Sequence, residues 1–177
     1  MVLSAFYQHQ DTSWVLRDGT FVLIRPIEPE DEDMMIEFLS TLSVRSVLFR
    51  FFRILEPMTR KQMIRYSHVD KDRCVSIVAI EHKPEKDRLI GEGRLTHYPG
   101  LEACEFSIVV GDRWQGNGLG AKLLKMCIDI AREKGARLLW GSIMSGNEKM
   151  INLCKKLGFS IERHHWEGVV KATMKLS

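Results

Sequence analysis

A glycine-rich stretch in the second half of the chain has the composition of an anion-binding turn. Residues 115–120 (Gln-Gly-Asn-Gly-Leu-Gly) follow an apolar run that ends at Val110 and lead into a helical pattern over residues 118–134. Glycines let the backbone approach an anion closely, and the first N–H groups of a helix have no partner within it. These N–H groups and the helix dipole favour negative charge. The sequence therefore predicts a phosphate-binding turn between a strand and a helix.

Two common phosphate-binding motifs do not fit this stretch. The dinucleotide fingerprint G-x-G-x-x-G opens the first βα unit of its fold. Here the pattern is G-x-G-x-G and lies deep in the chain. A Walker A loop requires Gly-Lys-Ser/Thr, which this stretch lacks. Neither a nicotinamide cofactor nor a nucleoside triphosphate is therefore the expected ligand.

Glu105 is the first candidate for acid–base chemistry beside this turn. It lies within an apolar strand pattern, ten positions before Gln115. Burial there would raise the pKa of its carboxyl group toward neutrality, where it could act as a general base. The competing interpretation is an exposed glutamate on the alternate face of the strand. Glu92 and His97, on the preceding strand pattern, are the reserve candidates.

The elements that must position these residues are a set of predicted strands and helices. Residues 1–13 are polar and expected to be flexible, and Arg17–Thr20 is a predicted hairpin turn. The sequence predicts strands over residues 21–26, 74–81, 88–98, 103–111 and 138–143, and a final pair through 176. It predicts helices over 30–42, 43–52, 59–66, 118–134 and 147–157. This order predicts a single domain over residues 14–177 with an α/β (α+β) fold and a mixed sheet.

Composition narrows the class of protein. The 177 residues are 45% hydrophobic and 28% charged, which indicates one globular domain. A formal charge of +3 does not indicate a nucleic-acid partner. No segment approaches the ~20 apolar residues of a membrane span, and residues 1–11 lack a signal-peptide pattern, so a cytoplasmic location is expected. The four cysteines are expected to be buried and reduced, and neither they nor His164 and His165 predict a metal site.

Several motifs together resemble the GNAT family of N-acetyltransferases. Gln115-x-x-Gly118-x-Gly120 matches the family signature Q/R-x-x-G-x-G/A. Asn147 matches the family asparagine that opens the next helix, and residues 157–159 match its Leu-Gly-Phe ending. The resemblance covers about residues 20–176. It implies a GNAT fold, with a mostly antiparallel sheet of about six to seven strands and about four to five helices. It also implies acetyl transfer from acetyl-CoA to a primary amine without a metal.

The resemblance further implies which residues form the site. In this family the strand before the glycine turn binds the thioester and the pantetheine arm, and one of its backbone N–H groups, here near Val109 or Val110, stabilises the oxyanion. Related lysine acetyltransferases place a glutamate at the position of Glu105, which we therefore expect to be the general base. The expected coenzyme-binding residues are Ile108, Val109, Val110, Gln115, Gly116, Asn117, Gly118, Leu119, Gly120 and Asn147.

The N-terminal half is similar, more narrowly, to the acetyltransferase domains of bacterial protein-lysine acetyltransferases. Residues 16–20 (Leu-Arg-Asp-Gly-Thr), 24–26 (Ile-Arg-Pro) and 50–52 (Arg-Phe-Phe) contribute to this similarity. Such domains regulate acyl-CoA synthetases, so a lysine of such an enzyme is the favoured acceptor, and a monomer or homodimer is expected. The alternatives are a small-molecule amine and a non-catalytic acyl-CoA-binding module. In this family the first two helices and their loop usually shape the acceptor site. Here that region is rich in Arg and Phe, which suits a cationic polyamine poorly.

Cys154 departs from the family pattern. Many members carry a tyrosine five residues before the phenylalanine of Leu-Gly-Phe, where it protonates the leaving thiolate. A thiol could donate that proton, but a cysteine in an apolar helix is usually a packing residue. We therefore expect Cys154 to be structural and the thiolate to take its proton from water.

Overall fold

The computed structural model describes residues 11–52, 59–68, 70, 73–163 and 168–176. These form an eight-stranded sheet in the order β1-β2-β3-β4-β5-β6-β8-β7. Its strands are β1 (Thr12–Val15), β2 (Phe21–Pro26), β3 (Cys74–Glu81), β4 (Arg88–Tyr98), β5 (Ala103–Val110), β6 (Leu138–Met144), β7 (Ser160–Arg163) and β8 (Val169–Lys175). The helices are α1 (Glu32–Thr41), α2 (Val44–Phe51), α3 (Arg60–Ser67), α4 (Leu119–Glu133) and α5 (Glu148–Lys156). None of these helices is both long and apolar enough to cross a membrane.

The mixed, mostly antiparallel sheet is confirmed, and it has one strand more than the six to seven that were expected. The additional strand is β1, which begins at Thr12, inside the stretch that the sequence predicts to be flexible. It pairs with β2 across the predicted turn, where Gly19 has φ +87° and the Leu16 N–H donates to the Thr20 carbonyl at 2.8 Å. The pattern of β1 is weak because this edge strand has four residues and alternates between half-buried and exposed positions.

Each face of the sheet supports its own apolar core. On one face α4 and α5 pack through residues such as Leu123 and Ile151, which are fully buried. On the other face α1 and α3 pack on β3, β4 and the end of β5, where Val109 is buried. Because side chains alternate along a strand, Glu105 shares the α1–α3 face with Val109. Phe106 faces α4 and α5.

Strands β5 and β6 separate along their length, which opens a wedge in the sheet. Their parallel pairing joins Ala103–Glu105 to Leu138–Trp140, whereas β5 continues to Val110 and β6 to Met144. At the narrow end, a Cβ atom on Gly141 would lie 2.6 Å from the ring of Phe106. The absence of a side chain at Gly141 therefore lets Phe106 fill the narrow end of the wedge from the α4 side.

Candidate functional site

The predicted glycine turn lies at the open end of the wedge, between β5 and α4. Gly116 and Gly118 have φ values of +82° and +92°, in the left-handed region that L side chains rarely adopt. Gly118 is the N-cap of α4, so Leu119 and Gly120 begin the helix with N–H groups that need outside partners. A Cβ atom on Gly118 would lie 3.3 Å from the ring of Trp14. The turn thus has the backbone geometry of an anion site and is packed closely against β1.

Asp112 connects this turn to the start of α2. Its carboxylate accepts hydrogen bonds from the Ser43 N–H and hydroxyl, at 2.9 and 2.6 Å, and from the Ser46 hydroxyl at 2.8 Å. Burial raises the pKa of Asp112, but these hydrogen bonds outweigh it and hold the pKa below its usual value. Asp112 and Ser46 were missed as site residues because nothing in the sequence links two segments so far apart.

Gln115 and Asn117 use their side chains to hold the turn in place. The Gln115 amide donates to the Ser46 hydroxyl at 3.2 Å and to the Val110 carbonyl at 3.1 Å. The Asn117 amide donates to the Asp18 carboxylate at 2.9 Å, in the β1–β2 hairpin. Because these two side chains are engaged within the protein, the backbone N–H groups of the turn are the donors that can bind an anion.

Asn147 lies on the other side of the wedge, directly after β6. Its side-chain oxygen accepts a hydrogen bond from the Met150 N–H at 3.3 Å and so caps α5. Its own N–H donates to the Met144 carbonyl at 2.8 Å. The structure therefore gives Asn147 a role in starting α5, and its contact with the coenzyme stays a prediction.

The direction of the β5 backbone separates the predicted coenzyme-binding residues into two groups. The Gly111 N–H donates to the Ile90 carbonyl of β4 at 2.9 Å. Alternation along the strand then turns the Val109 N–H toward β4 and those of Ile108 and Val110 toward the wedge. Since the Val109 side chain is also buried under α1 and α3, the expectation that Val109 binds coenzyme does not fit this register.

Glu105 lies at the vertex of the wedge, opposite Trp140 of β6 and Thr96 of β4. Its carboxylate accepts a hydrogen bond from the Tyr98 hydroxyl at 3.0 Å. The side chain is half-buried, so the burial expected from the apolar strand is incomplete. The reason is that the α1–α3 core covers the opposite end of this face, around Val109.

Glu92 occupies a different environment, although it was a reserve candidate for the same role. It is 1% exposed, accepts hydrogen bonds from the hydroxyls of Ser76 and Tyr66, and pairs with Arg94 at 2.7 Å. Burial raises the pKa of Glu92, but the charges of Arg94 and Arg50 outweigh it and hold the pKa below its usual value. Glu92 is thus a buried, charged, structural group, and its use as a base is not supported.

His97 and Cys154 are also unsuited to acid–base roles. His97 alternates with Thr96 and Tyr98 on β4, so it lies on the face opposite Glu105. Burial and the neighbouring Lys134 lower its pKa. Cys154 is fully buried in the α4–α5 core, and burial raises its pKa to about 12, so it is a poor proton donor to a thiolate of pKa ~8.5.

The other cysteines and the histidine pair complete the predicted residues. All four cysteines are free thiols, and three are buried as predicted, whereas Cys74 is half-buried beside Arg94. His164 and His165 lie outside the described residues. Within the described ranges, no cluster of three or more His, Cys, Asp or Glu side chains could hold a metal ion.

Known proteins share both the sequence pattern and the fold. Residues 22–160 match the family described as acetyltransferase (GNAT) domain. A protein from Pseudomonas aeruginosa named as an acetyltransferase is 32% identical over 162 residues, which cover 90% of this chain and 87% of that protein. The spermidine N(1)-acetyltransferase of Escherichia coli K12 is 26% identical over 142 residues, with 80% and 74% covered. The GNAT domain of PAT from S. lividans has a TM-score of 0.81 and 26% identity, covering 94% and 97%.

The family match spans β5, the glycine turn and α5, so the expected GNAT fold is confirmed. A wedge that ends at backbone N–H donors suits a long coenzyme with a phosphate group at one end and a reactive thioester at the other. We conclude that this chain belongs to the GNAT acetyltransferase family and transfers the acetyl group of acetyl-CoA to amines.

Proposed function

We propose that the acceptor is a lysine side chain of a protein, favouring a lysine of an acyl-CoA synthetase, and that Glu105 is the general base. A lysine ammonium must lose a proton before its nitrogen can attack a thioester. The observation that carries the proposal is the position of Glu105 at the vertex of the wedge, half-buried and on the face not filled by α4 and α5. A carboxylate there is accessible to an acceptor that approaches from the α1–α3 side.

The coenzyme is proposed to run along the wedge from the glycine turn to Glu105. The N–H groups of residues 116–120 would bind the pyrophosphate, because they lie in left-handed backbone and in the first turn of α4. The pantetheine arm would pair with the wedge-facing backbone of Ile108 and Val110. This direction brings the thioester to the narrow end, next to Glu105.

Acetyl transfer then follows in a single direct attack. Glu105 takes a proton from the acceptor ammonium, and the neutral amine attacks the thioester carbonyl carbon. The wedge-facing N–H of Ile108, which is nearer to Glu105 than that of Val110, donates to the oxyanion that forms. The C–S bond breaks as the carbonyl reforms, and the new amide nitrogen loses its second proton to water. The CoA thiolate takes its proton from water, since Cys154 is buried and a weak acid.

The charge of the neighbouring helices favours this acceptor over a polyamine. Similarity to a spermidine acetyltransferase keeps a small cationic amine as the second candidate. Helices α2 and α3 contain several arginines and lysines and no aspartate or glutamate. The acidic residues of α1 already have partners, Glu32 with His68, Asp33 with Arg60 and Glu37 with Lys86. A polyamine carries several positive charges, which α2 and α3 would therefore repel. A protein lysine brings a single ammonium.

The proposed function is tested by measuring CoA release with a panel of acceptors. The panel contains a lysine peptide from an acyl-CoA synthetase, free amino acids, spermidine and an aminoglycoside. We expect the highest kcat/KM with the lysine peptide. Higher kcat/KM with spermidine would select the small-molecule alternative. No turnover with any amine, together with tight acetyl-CoA binding, would select a non-catalytic binding module.

Replacing Gly118 with alanine should weaken the coenzyme site. The left-handed φ of +92° and the nearby Trp14 ring strain any side chain there, at about 1–2 kcal/mol for the backbone alone. We expect KM for acetyl-CoA to rise about tenfold as the N–H groups shift, the equivalent of ~1.4 kcal/mol, with little change in KM for the amine. Gly100→Ala is the matched control, because a Cβ atom on Gly100 meets nothing within 4 Å. An unchanged KM for acetyl-CoA in a folded Gly118→Ala variant would contradict the assignment of the turn.

A further inference from the structure

Tyr98 and Trp140 form an aromatic surface next to Glu105 that the transfer step above does not use. Their ring centroids lie 6.3 Å apart, with the rings tilted by 33°. The Tyr98 hydroxyl donates to Glu105, and Trp140 lies directly opposite Glu105 in the parallel register. Tyr98 is 37% exposed and Trp140 is half-buried. Both rings are therefore accessible beside the carboxylate.

The chain places one of its own alkylammonium groups on this surface. The Lys171 Nζ lies 4.9 Å from the centroid of the Trp140 ring. Such a distance allows a cation–π attraction. The register pairs Trp140 with Thr173, so Lys171 lies two residues along β8 on the same face. A primary ammonium on an unbranched alkyl chain thus already fits the ring next to Glu105.

We propose that Tyr98 and Trp140 form the binding subsite for the acceptor ammonium, and that Lys171 occupies this subsite when no acceptor is bound. This inference rests on the proposed function and identifies the residues that bind the acceptor ammonium. Aromatic faces attract an alkylammonium in its charged form and do not take its proton. The subsite therefore holds the acceptor until Glu105 removes the proton. Tyr98 also orients the Glu105 carboxylate through its hydroxyl, so it is a positioning residue as well.

Replacing Trp140 and replacing Tyr98 should change different steady-state parameters. We expect Trp140→Leu to raise KM for the lysine peptide about tenfold with kcat nearly unchanged, because the loss is in binding of the charged amine. Trp140→Phe keeps an aromatic face and should restore most of that KM. Tyr98→Phe keeps the ring and loses the hydrogen bond to Glu105, so it should lower kcat about threefold to tenfold with little change in KM.

Replacing Lys171 should lower KM for the lysine peptide, the opposite of the effect expected for Trp140→Leu. Lys171→Met removes the internal ammonium and keeps a flexible side chain of similar length. We expect KM for the lysine peptide to fall about threefold, because an internal competitor reduces the apparent affinity in proportion to its occupancy. Lys175→Met, at an exposed position of the same strand, is the matched control. An unchanged KM in Lys171→Met would remove the competitor from the proposal.

A probe that cannot be acetylated separates this inference from the proposed function. The same peptide carrying trimethyl-lysine keeps the positive charge and has no N–H to donate. Its binding to the CoA complex is measured by calorimetry, with a norleucine peptide as the neutral comparison. We expect the trimethyl-lysine peptide to bind more tightly than the norleucine peptide, and Trp140→Leu to weaken it about tenfold.

The outcomes distinguish three situations. Equal binding of both peptides, or folded Trp140→Leu with unchanged KM and unchanged probe affinity, would overturn the subsite and leave the Lys171–Trp140 contact as structural. Probe binding that depends on Trp140, without turnover of any lysine peptide, would support the subsite and overturn the proposed function. The same dependence with spermidine as the preferred substrate would support the subsite and overturn the lysine assignment.

Discussion

Glu105→Gln is expected to lower kcat about 10²-fold or more, which is the usual effect of a positioned general base. The amide oxygen of glutamine can still accept the hydrogen bond from Tyr98, so the local geometry should persist. What the variant loses is the ability to take a proton from the acceptor ammonium. The measurement is kcat from CoA release, with acetyl-CoA binding followed by calorimetry and expected to be unchanged.

The control for this variant is Glu102→Gln. Glu102 lies just before β5 and its side chain pairs with Arg137 at the surface, at 2.9 Å. Its replacement should leave kcat near the wild-type value. If Glu105→Gln keeps both its rate and its pH–rate profile, the proton must go to water. Glu92 is already bonded to Ser76, Tyr66 and Arg94, and His97 lies on the opposite face.

Glu92→Gln is expected to lower the free energy of unfolding by about 3–5 kcal/mol, the usual cost of breaking a buried ion pair by removing one partner. Arg94 is 15% exposed and loses its carboxylate partner in this variant. Arg50, whose guanidinium donates to the Tyr66 hydroxyl at 2.6 Å, loses the nearby negative charge. Urea denaturation would measure the effect as a lower midpoint at an unchanged m value.

The control is the same replacement in an exposed pair. Glu37 pairs with Lys86, and their side chains are 44% and 66% exposed. Glu37→Gln should cost less than about 1 kcal/mol, as exposed pairs usually do. If Glu92→Gln lowered the free energy of unfolding by no more than Glu37→Gln does, water would have to reach the Glu92–Arg94 pair, and its burial would contribute little.

The same cluster predicts how stability depends on pH. The pKa of Glu92 is lowered in the folded protein. Its contribution is therefore complete above the unfolded pKa of ~4.3 and is lost as the pH falls through the folded pKa. We expect wild-type stability to drop more steeply on acidification than that of Glu92→Gln, measured as the urea midpoint at successive pH values.

Features that depend only on residues close together in the chain could be predicted from the sequence. The glycine turn is a run of consecutive residues, so its left-handed backbone and its place before α4 follow from local geometry. Ser43, Thr59 and Asn147 begin α2, α3 and α5 because each can satisfy N–H groups of its own helix. β1 was missed because a short edge strand has too little apolar alternation to be distinguished from a loop.

The roles of the two glutamates show what only the tertiary structure decided. Glu92 and Glu105 are the same residue type, lie on adjacent strands and share one face of the sheet. Glu92 becomes a structural ion because Tyr66 of α3 donates a hydrogen bond to it and Arg50 of α2 adds a nearby positive charge. Glu105 becomes the candidate base because β5 and β6 separate beside it. Periodicity in a sequence indicates which face a side chain takes, whereas its chemistry depends on the residues that folding brings against that face.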